Sequence, residues 1–302
     1  MSEDDFSSAD TMGIAAVERD IGIAKDTLRV WERRYGFPEP QRDAHGERAY
    51  SKHDLTKLRL VKRLMDQGFR PGKIIPLDAD TLANMLTQHS TAQASTHVNT
   101  ALIELLKSHS IPDLKRHLKN LLIQQGLERF VLDTVVEMNT QVGDGWMRGE
   151  LAIFEEHLYS EQIHVLLRAA IGQLDITPAP PRILLTTLPG ELHTIGMLMV
   201  EAILTLNGAT CIPLGAQTPI PEIQQAIRAH QVDILCLSCS ASFPKTLCIS
   251  SLTDLRRLTD ANTAIWTGGA GAPKLLPDNE VLRLNYLTEL APALAQWRAD
   301  HG

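Results

Sequence analysis

The residues best suited to chemistry gather in the last third of the chain. Glu191-x-His193-x-x-Gly196 follows the apolar run Arg182 to Leu188; Ser238 comes after 41 intervening residues, Ser240 just after it, and Gly268-Gly269 after 27 more. An imidazole at the carboxyl end of a strand, two residues after a glutamate, can cap a helix, face solvent or face a ligand. Residue type alone does not choose among these. A second constellation lies upstream, where Trp146 is followed by nine residues and then Glu156-His157. Taken alone, that group reads as ordinary core and surface.

The elements around His193 give it a setting. From Pro181 onward strand-like runs (RILLTTL, TCIPLG, VDILCLSCS, AIWTGG, VLRLNYL) alternate with helical stretches such as PEIQQAIRAH. This alternation predicts an α/β domain over 179–302 with a doubly wound parallel sheet, Rossmann- or flavodoxin-like. Such sheets bind ligands at the carboxyl ends of their strands, beside the switch point, and His193 falls at that edge. Residues 98–178 show apolar positions at three and four spacing and predict a bundle of about four helices. Residues 79–97, Ser/Thr-rich around His89 to Ser95, read as a linker, and 1–11 as a disordered amino terminus.

Residues 12–78 read as a DNA-binding module. A short helix around Ile14 to Asp20, a turn at Ile21-Gly22 and a second helix from Ala24 to about Tyr35 form a helix-turn-helix pattern. On the second helix Lys25, Thr27, Arg29 and Arg33 can point outward, while Leu28, Val30 and Trp31 include the inward positions. Arg and Lys on such a helix reach phosphates and guanine edges. The Pro- and Gly-punctuated stretch GFPEPQRDAHGERAYS, with Arg42 and Arg48, predicts a β-hairpin wing, and a helix over about Lys52 to Gln67 follows.

Bulk properties agree with this division. The 302 residues are 44% apolar and 22% charged, enough for two or three domains with real cores. The net charge of −7 conceals a basic module: Arg19 to Lys73 holds 14 Lys and Arg against 8 Asp and Glu, a local balance of +6. No apolar run approaches the roughly 18 to 20 residues that span a bilayer, and the acidic amino terminus lacks a signal-peptide layout, so a cytoplasmic protein without a membrane partner is expected. Cys211, Cys236, Cys239 and Cys248 crowd into the α/β region. The Cys236-x-x-Cys239 pair sits in an apolar run rather than at a helix start, which predicts buried strand cysteines instead of a redox pair.

The segments DTLRVWERRYGFPEPQR and GERAYSKHDLTKLRLVKRLMDQGF resemble the DNA-binding domain of the MerR family across about residues 12 to 76. That likeness adds Arg34 and Tyr50 to the expected DNA-binding set of Lys25, Thr27, Arg29, Arg33, Arg42 and Arg48. The spaced set Glu191, His193, Gly196, Ser238, Ser240, Gly268 and Gly269 resembles the cobalamin-binding domain of methionine synthases and mutases, with Ser240 standing where a leucine is common. In order and extent the whole chain resembles the CarH/LitR family of adenosylcobalamin-dependent photoreceptor repressors, which are regulators and not enzymes.

The resemblance implies that His193 ligates cobalt from below while Glu191 holds its tautomer. Ser238 would bond the buried tail base, and Trp146, Glu156 and His157 would cover the upper face. It also implies a dark oligomer, dimer or tetramer, that grips double-stranded operator DNA and releases it after light cleaves the cobalt–carbon bond. Met147 stands where some members carry a histidine, a thioether being the weaker ligand for oxidised cobalt. Two other readings stay open: a sensor of cofactor abundance without a light response, and a MerR-type regulator sensing another ligand or a partner protein.

Overall fold

A computed structural model of the protein describes residues 11–43, 46–66, 69–90, 100–177, 179–273 and 281–301. The chain forms two compact units, one of Met1–Val98 with Asp144–Leu151, the other of Asn99–Gly143 with Ala152–Gly302.

In the first unit α1 (Ile14–Ile21) and α2 (Lys25–Tyr35) are the two helices of the helix-turn-helix. Gly22, at φ 72°, lets the chain reverse between them, its N–H closing on Glu18 O at 3.0 Å. That left-handed conformation is strained for a residue with a Cβ. The wing is the antiparallel pair β2 (Gln41–Arg42) and β3 (Arg48–Ser51). A third strand, β1 (Thr11–Gly13), pairs with the other edge of β3, so Thr11, expected within the disordered amino terminus, lies in a strand. Residues 1–10 lie outside the described residues.

Helix α3 (Lys52–Asp66) starts on a reciprocal cap: Ser51 Oγ accepts from Asp54 N at 3.1 Å, and Asp54 Oδ2 accepts from Ser51 N at 3.3 Å. Leu28 and Trp31 are buried as expected, whereas Val30 is exposed; it lies on the outer face of α2 with the arginines. The stretch expected to be a linker opens with helix α5 (Ala79–Ser90), after the short α4 (Pro71–Ile74). Leu82 of α5 is fully buried in the same core as Leu28, Trp31 and Leu58. Apolar spacing in so short and polar a helix is a weak signal, and the buried face becomes evident only with its partners in place. Of the expected hinge, Thr91 to Ser95 lie outside the described residues.

The second unit contributes α6 (Thr100–Lys107), α7 (Ile111–Arg129), a π-helical turn (Phe130–Val135), α8 (Val136–Met147, its last turn belonging to the first unit) and α9 (Ile153–Gly172). These are the four helices read from the sequence. Tyr159 of α9 donates to Asn139 Oδ1 of α8 at 2.7 Å. The five strands β4 (Ala179–Thr186), β5 (Ala209–Gly215), β6 (Ile234–Ser238), β7 (Ala264–Gly268) and β8 (Val281–Leu284) form one parallel sheet in the order β5-β4-β6-β7-β8. Helices α10 (Ile195–Leu206), α11 (Ile220–His230), α12 (Lys245–Leu258) and α13 (Leu290–His301) complete the alternation. Central strands β4 and β6 are almost continuously apolar because crossover helices cover both faces. The N-terminal helix-turn-helix region is thus followed by a parallel sheet and helix domain consistent with a Rossmann-like cobalamin-binding fold.

Cys236, Cys239 and Cys248 are buried free thiols, and burial pushes the Cys236 thiol up to about 12. Cys239 faces Cys248, at 3.1 Å between sulfurs, rather than Cys236.

Leu82→Ala should lower the stability of the first unit by about 2–5 kcal/mol, the range for truncating a buried leucine. Urea unfolding followed by far-UV circular dichroism measures it. A shift within about 0.5 kcal/mol, typical of an exposed site, would mean that α5 is not part of that core.

Candidate cofactor site and nucleic-acid interface

The chain order of the sheet reverses between β4 and β6, so the loops after these strands flank the switch point. The β4 loop carries Glu191 and His193, and the β6 loop carries Ser240. Glu191 is 1% exposed and spends both oxygens on these two loops. Oε1 accepts from the His193 backbone N–H at 2.9 Å and meets His193 Nδ1 at 2.8 Å; Oε2 accepts from the Ser240 backbone N–H at 2.7 Å. Ser240 Oγ stands 3.1 Å from the same Nδ1. The ring itself is exposed, 61% by side chain, and among the described residues no polar group engages Nε2.

Burial alone would raise the Glu191 carboxyl, but hydrogen bonds from the His193 side chain, from its backbone and from Ser240 hold it below the ordinary glutamate value. The Glu191 hydrogen bond raises His193; burial opposes, and the charges of Glu191 and then Glu156 add to the rise. Stability from the raised imidazole is complete below 6.5 and lost as pH climbs through its folded value. Stability from the depressed carboxyl is complete above 4.5 and lost as pH falls. The clamp therefore supports the fold most strongly between those two values.

The glycines answer to close packing. A Cβ on Gly196 would lie 3.0 Å from Ser238 Oγ, which puts that hydroxyl at the first turn of α10. Gly268 pairs in register with Ser238, and a Cβ there would stand 3.0 Å from Leu284 O. On Gly269 it would run into Cys239 O, and on Gly271 into Ser240 O. The turn after β7 thus crosses the turn after β6 backbone to backbone, and the room that a side chain at 268 or 269 would need is filled by protein. Gly271, not singled out from sequence, makes the tightest of these approaches.

Helix α9 brings Glu156 and His157 into the same unit as His193. Glu156 accepts from Ser160 Oγ at 2.6 Å and meets His157 Nδ1 at 2.6 Å. His164, one turn beyond Ser160, faces Thr194 Oγ1 at 2.8 Å, which ties α9 to the residue after His193. Trp146 belongs to the first unit, its ring under the Arg59 guanidinium at 4.4 Å.

A buried carboxylate that holds one imidazole nitrogen and leaves the other outward, at the switch point of a parallel sheet, is a donor set that fits an axial metal ligand. The Gly196–Ser238 approach is a cradle any side chain at 196 would disturb. The residues present fit a cobalamin.

On the first unit Lys25, Arg29, Arg33 and Arg34 are exposed along α2, and Thr27 is half-buried. Arg29 is paired with Asp26 at 3.0 Å. In the wing Arg42 is exposed and donates to Gly46 O at 2.6 Å. Two expected DNA contacts turn inward. Arg48 grips both oxygens of Glu32 at 3.0 and 3.1 Å, and Tyr50, fully buried, donates to Glu32 Oε1 at 3.2 Å. Glu32 thus fastens the wing to α2, and desolvation of the Tyr50 phenol, with Glu32 beside it, raises its pKa well above the ordinary value.

Fold and site together point to a DNA-binding transcriptional regulator with a cobalamin-binding domain. Residues 12–79 match the MerR HTH family regulatory protein description and residues 181–280 the B12 binding domain. The chain is a MerR-type helix-turn-helix domain plus a B12-binding domain, matching transcriptional regulators of the CarH/CarA family. It is 27% identical to the HTH-type transcriptional repressor CarH of Myxococcus xanthus over 83% of this chain and 86% of that one. To the repressor CarA of the same organism it is 27% identical over 95% and 96%. Among solved structures, the Methanosarcina barkeri monomethylamine corrinoid protein shares the fold, with a TM-score of 0.50 and 16% identity over 65% of this chain and 96% of that one.

Glu191→Gln should return the His193 pKa downward toward 6.5, a shift read by NMR titration of its ring carbon in the cofactor-free protein. An unmoved titration would mean that Glu191 does not govern the ring. On the nucleic-acid face, Arg33→Ala should weaken binding to random duplex DNA and reduce the slope of log K against log salt by about 1. Tyr50→Phe, which removes a buried hydroxyl, should leave that slope alone and lower stability by about 1 kcal/mol.

Proposed function

We propose that the chain is a light-responsive transcriptional repressor of the cytoplasm. It holds operator DNA as an adenosylcobalamin-bound oligomer, dimer or tetramer, in the dark and releases it after illumination. The observation that carries this reading is the Glu191-clamped His193 at the switch point. When bound, adenosylcobalamin supplies a cobalt–carbon bond that light can break.

The chain's own residues do the rest. His193 would offer Nε2 to the metal while Glu191 holds Nδ1, and Ser238, Gly196 and Ser240 would border the cofactor's tail. Trp146, Glu156 and His157 would pack against the adenosyl group, as the family resemblance implies. Lys25, Arg29, Arg33, Arg34 and Arg42 take the DNA backbone and base edges, with Thr27 beside them. To move an oligomer from 1:99 to 99:1 the cofactor must favour one state by about 5.5 kcal/mol. Burying an adenosyl group against an aromatic ring contributes a sizeable share of that.

A second reading is a sensor of cofactor abundance without a light response.

The deciding experiment mixes purified protein with adenosylcobalamin in the dark, desalts it, and records absorbance and size-exclusion mass before and after green light. Retained corrin with a light-dependent spectrum, a fall in mass and weaker DNA binding is the expected result. Unchanged mass and DNA affinity would leave the abundance sensor, and no retained corrin would leave a MerR-type regulator of another ligand or partner. His193→Ala should abolish retention, and Glu191→Gln should lower affinity about 10–100-fold.

A further inference from the structure

Spacing in the chain pairs Cys236 with Cys239, but the fold pairs Cys239 with Cys248. Cys239 directly follows β6 and Cys248 lies in the first turn of α12; both are fully buried, in one apolar cluster with Phe243 and Leu252. Their sulfurs stand 3.1 Å apart, and both are free thiols. Two thiolates on a metal ion, at about 2.3 Å each, sit farther apart than this in tetrahedral or linear geometry. The contact therefore suits a direct sulfur–sulfur bond.

The chain between the two cysteines is short and turned outward. Among residues 240–247 only Phe243 is buried, so a small oxidant reaches the pair once this turn opens locally. The hydrogen bond between the thiols acts unequally on them. It holds Cys248 below the ordinary thiol value, against burial, and together with burial it raises Cys239. Cys248 is thus the sulfur that attacks first and Cys239 the one that resolves.

We propose that Cys239 and Cys248 form a reversible disulfide when hydrogen peroxide oxidises them, and that this bond resets the turn that presents Ser240 to Glu191. Cys248 Sγ, as thiolate, attacks one peroxide oxygen; the O–O bond breaks, a sulfenic acid forms, and hydroxide leaves as water with the proton that Cys248 released. Cys239 Sγ then gives up its proton and displaces the sulfenic oxygen, which leaves as a second water. The sulfurs lose the two electrons that the peroxide gains.

Closing the pair draws the two sulfurs together, and backbone bonds resist on both sides. Cys239 N donates to Gly268 O at 2.9 Å and its O accepts from Gly271 N at 3.0 Å, while Cys248 N donates to Pro244 O at 2.9 Å. Ser240 comes next in the chain, and its N–H is the one that Glu191 Oε2 accepts at 2.7 Å. The displacement falls on that turn, and through Glu191 it reaches His193 Nδ1.

The test uses full-length, cofactor-free protein treated with hydrogen peroxide, so its outcome is independent of the cobalamin reading. Thiols titrated in urea should fall from four to two and return with dithiothreitol. Lys245 lies between the two cysteines, so trypsin should leave them as one cross-linked peptide pair, retained in Cys236→Ser and lost in Cys248→Ser. At constant pH the His193 ring-carbon signal should move on oxidation of the wild type and stay in place in Cys248→Ser. Four persisting thiols, or a cross-link through Cys211 or Cys236, would overturn the inference. A 239–248 cross-link with an unmoved His193 signal would overturn its second half. The wild-type cross-link decides the pairing even where a variant folds poorly.

Discussion

A carboxylate removed from water must have every oxygen satisfied, because an unpaired buried charge is far more costly than any single contact around it. Glu191 meets that demand with partners from two loops, the His193 ring and backbone on one and the Ser240 backbone on the other. The constraint runs outward from there. The loops can share one carboxylate only if β4 and β6 are neighbours, and the β6 turn keeps its shape because the β7 turn crosses it closely at Gly269 and Gly271. The His193 imidazole is thus aimed by the sheet order itself.

A comparable logic operates in the DNA-binding unit. Glu32 is half-buried and takes Arg48 and Tyr50 from the wing, so α2 and β3 move as one piece. Asp20 takes Arg59 from α3, so α1 and α3 do the same. Removing either partner would leave a poorly solvated charge, which is why such pairs hold relative positions more firmly than exposed ion pairs do. The basic stripe on α2 is presented by this frame and contributes little to it.

The segment Asp144–Leu151 belongs in chain order to the helices before the sheet, yet it packs with α3, where the Arg59 guanidinium lies over the Trp146 ring.

Much of this was legible in the amino-acid sequence. The alternation of apolar runs and helical stretches determined a parallel sheet, because each pattern repeats at the period of its own element. Gly22 marked the turn of the helix-turn-helix, since φ 72° suits a residue without a Cβ. Glu191 and His193, two residues apart, were readable as a pair. Tertiary structure alone decided what depends on partners distant in the chain. Tyr50 looked like a DNA contact until Glu32, on another element, drew its hydroxyl inward. Ala79–Ser90 looked like a linker until the core supplied a place for Leu82. Gly269 gave no sign in the sequence of the Cys239 O that fills the space beside it. Nothing in the neighbourhood of Trp146 along the chain announced Arg59, 87 positions earlier. Periodicity and short-range spacing report on residues that are neighbours along the chain, whereas burial and pairing are set by whichever groups the folded chain brings within a few ångströms.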